Sequence, residues 1–238
     1  MPKSLLMLRS GIAFLLALAA CSQSDPEQVS EDYYPLVPDS YWTYRHSSLG
    51  GWPETVTVQS GKNPDEFILT DTANPYRERS VNTLKKSGTA VLRTGKLFFR
   101  NDALVFSVTY NPGFVRFDEK WLQKQPPFEE ERTYLRTETD VGQEAAPAAE
   151  RSHVYTVESR SETVQAAGRT FRNCVRVRRL STWVPTVSAD SGVPATAGPR
   201  DVQGKLFWFA PGVGKVQEQN LDNGNTEILV DYDIAQRD

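Results

Sequence analysis

The chain has 238 residues, of which 24% are charged, and its formal net charge at pH 7 is −3. This mildly acidic balance argues against nucleic acid as a partner, because proteins that bind nucleic acid present basic patches. The length suffices for one domain with a sizeable core, and 2 cysteines are too few for a disulfide framework.

The first twenty residues are typical of a signal peptide. Lys3 and Arg9 precede an apolar run, Ile12 to Ala20, that is too short to span a bilayer. Leu18-Ala19-Ala20-Cys21 resembles the lipobox of bacterial lipoproteins, which implies cleavage before Cys21 and acylation of that cysteine. Cleavage there removes 20 residues and two basic side chains, so the net charge moves from −3 to −5. Ser22, where an aspartate would imply inner-membrane retention, indicates the outer membrane. An ordinary signal peptide is the alternative.

The polar stretch 22–32 predicts a flexible tether, and a single folded domain is expected over 33–238. Short segments separated by Gly, Asn, Asp or Pro predict strands near 41–44, 54–60, 67–70, 77–86, 90–93, 96–100 and 103–110. This rhythm predicts an all-β fold, with one curved antiparallel sheet.

One segment has helical spacing instead. Phe114, Phe117, Trp121 and Leu122 recur at i, i+3, i+7 and i+8, which predicts one short helix over 114–123 as a cap on the sheet. The acidic run Glu129-Glu130-Glu131 is expected to be a solvated loop.

The second half of the chain returns to strands, predicted over 132–139, 154–161 and 170–180. Ala167-Gly168 is the expected turn between the last two, and 143–150 and 183–200 are expected to be long loops. The final hairpin is predicted to pair 214–220 with 226–234.

The run Leu206-Phe207-Trp208-Phe209 organises this prediction. Neighbouring side chains of a strand point to opposite faces, so a fully apolar run needs cover on both sides and belongs in the middle of a sheet. Ala210-Pro211-Gly212-Val213 predicts a type II turn. A central strand that is sharply redirected indicates a curved sheet with something in its hollow.

The sequence contains few residues in patterns typical of catalysis or metal binding. His46 and His153 lie far apart without metal-ligand spacing, and a structural role is expected for His153. The sequence therefore predicts no enzyme, no metal and no cofactor. With Cys21 acylated, Cys174 has no intramolecular partner.

Strand 170–180 offers a candidate anion contact. Its arginines Arg172, Arg176 and Arg178 share one face and could hold an anionic group. Ion pairs with acidic residues on neighbouring strands explain the row as well. Cys174 falls on the same face, which either a bulge or a pocket among the arginine stems would explain.

Aromatic side chains offer a second candidate site. Six of them could line an apolar hollow, or could simply fill a core: Trp42, Tyr44, Phe98, Trp121, Trp208 and Phe209.

Three short islands resemble a group of uncharacterised bacterial lipoproteins, of the TapB and DUF3108-like kind. They are Tyr34-Pro35-Leu36 with Tyr41-Trp42-Thr43-Tyr44, Ala167-Gly168 through Cys174 to Val177, and Trp208-Phe209-Ala210-Pro211-Gly212-Val213-Gly214-Lys215-Val216. The resemblance implies a half-barrel of the LolA/LolB type, which carries lipid or acyl chains, and it implies no catalytic residue.

The expected function is that of a lipid-anchored, non-enzymatic envelope protein whose hollow takes an acyl chain or an apolar peptide. Its expected partners are the membrane, through Cys21, and other envelope proteins. A scaffold with a filled core is the alternative, and a hydrolase built from scattered residues is a third, weaker hypothesis.

Overall fold

The structure, a computed structural model, describes residues 32–183 and 203–236, which form one antiparallel sheet of twelve strands. Each strand pairs with its neighbours in the chain, and β1 pairs with both β2 and β12, so the sheet closes into a barrel. The strands are β1 Tyr41–His46, β2 Trp52–Ser60, β3 Glu66–Asp71, β4 Glu78–Ser87, β5 Ala90–Arg100, β6 Ala103–Asp118, β7 Phe128–Asp140, β8 Ala149–Ala166, β9 Arg169–Trp183, β10 Gln203–Ala210, β11 Gly214–Asn220 and β12 Thr226–Asp233.

The predicted all-β fold with a curved antiparallel sheet is confirmed, and the curvature continues until the two edges meet. Closure removes the unpaired edges that would otherwise invite pairing with other chains. The signal peptide, Cys21, nearly all of the tether and nearly all of the loop expected over 183–200 lie outside the described residues. No helix within the described ranges is long and apolar enough to cross a membrane.

Strand β10 lies in the sheet between β9 and β11, as the apolar run predicted. Phe207 and Phe209 are buried, whereas Trp208 on the opposite face is half-buried and packs against the core. The pairing with β11 shifts register between Trp208 and Phe209, so β11 carries one extra residue there, and such a bulge bends the strand that carries it. The expected turn follows directly, with Gly212 at a φ of 71°, a conformation that glycine adopts without steric cost.

The interior of the barrel is packed at one end only. Eight strands enclose just enough room for side chains to fill, so twelve strands leave space that other parts of the chain must occupy. The segment before β1 enters this space, and Leu36 is 0% exposed. Its neighbours in the core include Phe117, Trp121 and Phe209. Towards the other end, the interior stays hollow.

The helix predicted over 114–123 is wrong for most of its length. Residues up to Asp118 belong to β6, and a single 3-10 turn, Glu119–Leu122, follows. Val91 pairs with Phe117 while Leu92 pairs with Val115, so β6 carries one extra residue there. This bulge resets the alternation of faces, and Phe114 and Phe117 are both buried at a spacing of three that imitates a helix.

The acidic run Glu129-Glu130-Glu131, expected as a solvated loop, lies inside strand β7. Each carboxylate has a hydrogen-bond partner, because Glu129 accepts from Thr156, Glu130 from the Trp121 indole and Glu131 from Ser152. Charged residues were compatible with a strand because these neighbours satisfy them.

Cys174 is fully buried in the core, and a bulge explains it. Asn173 has a φ of 56°, and the pairing of β8 with β9 shifts register around Glu162 and Cys174. The shift turns Cys174 inward while Arg172 stays exposed. Of the two explanations that the sequence left open, the bulge is the one observed.

Candidate functional site

Two adjoining cavities occupy the hollow part of the barrel. The larger, about 530 Å³, reaches the end of the barrel where β9 ends and β10 begins. The smaller, about 200 Å³, lies deeper. Both are lined by Arg93, Lys96, Arg116 and Glu218, which mark the junction between them.

The larger cavity, here called the basic chamber, carries a strong excess of positive charge. Among its described lining residues, Glu218 is the one acidic side chain. Aromatic side chains, notably Tyr110, Phe114, Tyr134 and Phe207, share the lining. Seven side chains supply the positive charge: Arg93, Lys96, Arg116, Arg136, Arg151, Arg179 and Lys205.

Arg93 lies at the junction of the two chambers. Its guanidinium lies 4.1 Å above the centroid of the Phe114 ring and 5.1 Å from that of Tyr110. One terminal nitrogen donates to Asn82 Oδ1 at 3.1 Å, but the buried Nε has no partner. Burial lowers the pKa of the Arg93 guanidinium to about 10, and the charges of Arg116 and Arg179 add to the lowering.

Arg179 brings a second uncompensated charge to the same chamber. Its guanidinium lies 5.0 Å from the Phe207 ring centroid and 5.9 Å from that of Phe114, and its buried Nε also lacks a partner. Lys205 is its direct cross-strand neighbour in the β9–β10 pairing. Like charges placed opposite one another destabilise a sheet, so this pairing has a cost in stability.

His153 lies between the arginines as a neutral side chain. Its ring nitrogens are 2.5 Å from Tyr134 OH and 3.1 Å from Ser181 Oγ, so the neutral imidazole donates to one hydroxyl and accepts from the other. Burial lowers the pKa of His153 to about 3, with further lowering by Arg179, Arg93 and Arg151. The chamber therefore keeps its positive charge on guanidinium and ammonium groups.

The smaller cavity, here called the balanced chamber, pairs its charges internally. Lys215 Nζ is 2.9 Å from Glu218 and also contacts Glu227, and His46 Nε2 is 3.0 Å from Glu54. Burial raises the pKa of Asp71 to about 7, and Glu54 adds to the rise. Within residues 32–183 and 203–236, no group of three His, Cys, Asp or Glu side chains is placed to hold a metal ion.

The six aromatic candidates are not brought together. Trp42 and Tyr44 line the balanced chamber, and both donate hydrogen bonds to backbone carbonyls. Phe98 lines neither chamber and stacks on Phe106 at 4.8 Å. Trp121 and Phe209, 1% and 3% exposed, belong to the packed core, and Trp208 lies half-buried on the outer face.

The arginine row predicted on β9 lies outside the barrel. Arg176 is 2.9 Å from Glu158 and 3.1 Å from Glu162, and Arg178 is 3.2 Å from Glu158. These cross-strand ion pairs correspond to the second of the two explanations that the sequence left open for the row.

Sequence reasoning missed the inward-facing arginines. On β9, Arg179 has the same parity as the buried Val175 and Val177, and on β5 Arg93 has the same parity as the buried Val91. The signal that could have identified them is a basic residue at a strand position whose alternate neighbours are apolar and face inward. Placing a charge on that face costs free energy, which suggests that the charge has a functional role.

The basic chamber and the start of the described chain lie at opposite ends of the barrel. Asp32 accepts a backbone hydrogen bond from Gly212, in the β10–β11 turn, and pairs with Lys86 near the end of β4. The chamber instead reaches Thr182 and Gln203, at the far ends of β9 and β10. Residue 32, where the described chain begins, therefore lies at the packed end of the barrel.

Solved structures that are similar to this chain share little sequence with it. No family model and no curated protein matches the chain. A solved structure from Bacteroides fragilis, described as an exported protein with a YmcC-like fold, is similar over 84% of this chain and 98% of its own, with 12% identity and a TM-score of 0.46. A second, from Parabacteroides distasonis and described as a lipoprotein, is similar over 86% and 99%, with 13% identity and a TM-score of 0.41.

Proposed function

We propose that this protein is a non-enzymatic, lipid-anchored protein of the bacterial cell envelope that binds a small organic ligand inside its barrel. The observation that carries the proposal is the pair of adjoining chambers, of which the larger, at about 530 Å³, has the size of a small-molecule site. The lipobox-like Leu18-Ala19-Ala20-Cys21 supports the anchor, and Ser22 supports the outer membrane as its place.

The lining favours a ligand with both an apolar and a polar part. The rings of Phe114, Phe207 and Tyr134 can contact an acyl chain or an aromatic group, as the apolar-ligand hypothesis requires. The surrounding guanidinium groups would lose hydration against a wholly apolar molecule, which costs free energy. An amphiphilic ligand satisfies both kinds of surface.

The pKa values of His153 and Cys174 are unsuitable for catalysis at neutral pH, which supports a binding function over a catalytic one. His153 contacts Ser181 as a base would contact a nucleophile, but a pKa of about 3 makes the imidazole a poor proton acceptor at neutral pH. Burial raises the pKa of the Cys174 thiol to about 12, so the reactive thiolate is scarce.

The anchor is tested by replacing the acylated residue. In cells, Cys21→Ser is expected to move the protein from the membrane fraction to the soluble fraction, because one thioether-linked lipid and its companion chains supply the membrane affinity. Mass spectrometry of the wild-type protein should show the acyl mass on Cys21. An unmodified, membrane-free wild type would contradict the anchor.

The binding role is tested with a neutral fluorescent probe, N-phenyl-1-naphthylamine, and with a fluorescent fatty acid. Saturable uptake of either by the acylated protein in non-ionic detergent is expected. Ser181→Trp, at a position with the inward parity of Arg179 that lines the basic chamber, should fill the chamber and reduce the uptake. Thr170→Trp introduces the same side chain on the same strand outside both chambers and should not.

Absence of uptake for every probe would contradict the binding role and favour the scaffold alternative. One surface feature fits such a role: Leu104 and Val141 are 39% and 59% exposed on adjoining strand ends near the mouth, where Val141 donates a backbone hydrogen bond to Val105. Exposed apolar side chains on neighbouring strand ends can serve as part of a protein interface.

A further inference from the structure

Two arginines of the basic chamber lack an anionic partner among the described residues. Within the described residues, neither Arg93 nor Arg179 has a carboxylate at ion-pair distance, and the buried Nε of each has no hydrogen-bond partner. Both side chains are half-buried, and charges withdrawn from water are ordinarily paired. Two such arginines in one cavity indicate that the missing partner comes from outside the chain.

We propose that the basic chamber binds the phosphate or sulfate group of an organic anion, held between Arg93 and Arg179. This inference rests on the proposed binding function and names its ligand class. The planar guanidinium fork matches the oxygens of such groups in a bidentate manner. Ser181 and its cross-strand partner Gln203 line the same chamber, and the hydroxyl and the amide can complete the shell of donors.

The two arginines are held in place before any ligand arrives. Arg93 is fixed from one side by its hydrogen bond to Asn82 and from another by the Phe114 ring. Arg179 is stacked near Phe207 and Phe114. Side chains already ordered lose little further entropy on binding, which favours affinity.

The anion must carry an organic body, because the chamber is too large and too aromatic for an inorganic ion alone. A volume of about 530 Å³ is within the range of sites for small molecules. The Phe114 ring lies below Arg93, and Tyr134 stacks on His153 with ring centroids 5.0 Å apart. These flat faces suit an aromatic or other apolar portion attached to the charged group.

Calorimetry on the mature, acylated protein in non-ionic detergent tests this assignment. The probes are 1-naphthyl phosphate, its neutral counterpart 1-naphthol, inorganic phosphate, and dihexanoyl phosphatidic acid below its micellar concentration. We expect 1-naphthyl phosphate to bind one site at least tenfold more tightly than 1-naphthol and than inorganic phosphate, with an affinity that falls as salt is added. Tighter binding of the phosphatidic acid than of naphthyl phosphate would identify a lipid head group as the source of the anion, and the reverse order a soluble organic phosphate.

Neighbouring arginines on β9 provide a matched pair of variants. Arg179→Gln removes an inward charge and is expected to weaken naphthyl phosphate about 10–100-fold, the loss of a charge-assisted hydrogen bond. Arg178→Gln removes the adjacent outward charge, which pairs with Glu158, and should change the affinity less than twofold. Arg93→Lys keeps the charge but loses the fork, and it should give an intermediate loss.

Folding is monitored separately by the melting temperature without ligand. Arg179→Gln should melt no lower than the wild type, because it relieves the repulsion with Lys205. If naphthol and naphthyl phosphate bind equally well, or Arg179→Gln weakens binding no more than Arg178→Gln, the anion assignment is wrong while the binding function stands. If the wild type binds no probe of either kind, both are wrong.

Discussion

Glu218 lines both chambers and pairs with two lysines, Lys205 and Lys215. It is 8% exposed and lies 2.5 Å from Lys205 and 2.9 Å from Lys215. Glu218→Gln leaves both ammonium groups in the interior, with Glu227 as the remaining partner of Lys215. Removing one partner of a buried ion pair typically costs about 3–5 kcal/mol. Because the cavity admits water, we expect about 3 kcal/mol, the lower end of that range.

Glu158 offers a matched control outside the barrel, because it too is shared by two basic side chains. It pairs with Arg176 and Arg178, and its side chain is 25% exposed. Exposed pairs contribute about 0–1 kcal/mol, so Glu158→Gln should cost less than about 1 kcal/mol. Urea denaturation at pH 7, followed by tryptophan fluorescence, measures both values.

The pH dependence gives a second check on Glu218. Burial raises the pKa of this carboxyl, but Lys215 and Lys205 outweigh burial and hold the pKa below its ordinary value. A depressed carboxyl pKa contributes stability above the unfolded pKa of about 4.3 and loses that contribution as the pH falls towards the native value. The deficit of Glu218→Gln should therefore shrink below about pH 4. Equal costs for the two variants at pH 7 would refute the distinction between inner and outer pairs.

Three further predictions concern the core, the balanced chamber and the thiol. Trp121→Ala, at a site 1% exposed, should cost about 3–5 kcal/mol in urea unfolding, whereas Trp208→Ala on the outer face should cost about 1–2 kcal/mol because less area is buried. Burial raises the pKa of Asp71 to about 7, so wild-type stability should fall as the pH rises from about 4 to 7, by at most ~4 kcal/mol. Asp71→Asn should lose that slope in melting curves, and an unchanged slope would contradict the assignment. Cys174 is 0% exposed and should react with a thiol reagent only at the rate of unfolding; rapid labelling of the native protein would place the thiol outside the core.

Strand positions were predictable wherever turn residues punctuated the sequence. The hairpin of 214–220 with 226–234 and the turn at Ala167-Gly168 are confirmed by β11, β12 and the β8–β9 turn. The two wrong assignments, the helix over 114–123 and the loop at 129–131, have a common cause. Both depended on interactions with distant residues, a bulge opposite Val91 in one case and hydrogen bonds from β8 and Trp121 in the other.

The candidate site was less predictable than the fold. Sequence reasoning selected the arginines that share a face with one another, Arg176 and Arg178, and these pair with Glu158 and Glu162 on the outside. The arginines that line the hollow are single residues on different strands, such as Arg93 and Arg179. Only closure of the sheet brings them together, because each strand contributes one inward position at a given height.

The sequence by itself determined the alternation of faces, the turns and the central place of β10, because these follow from backbone geometry and from which side chains avoid water within a few neighbouring residues. Only the tertiary structure decided that the sheet closes, that one end is packed around Leu36, and that, among the described residues, seven basic side chains share a chamber with one carboxylate. The physical reason is that the net charge of a cavity depends on every side chain that lines it. Those residues lie as far apart in the chain as Arg93 and Lys205, so no local sequence pattern shows that they are close in space.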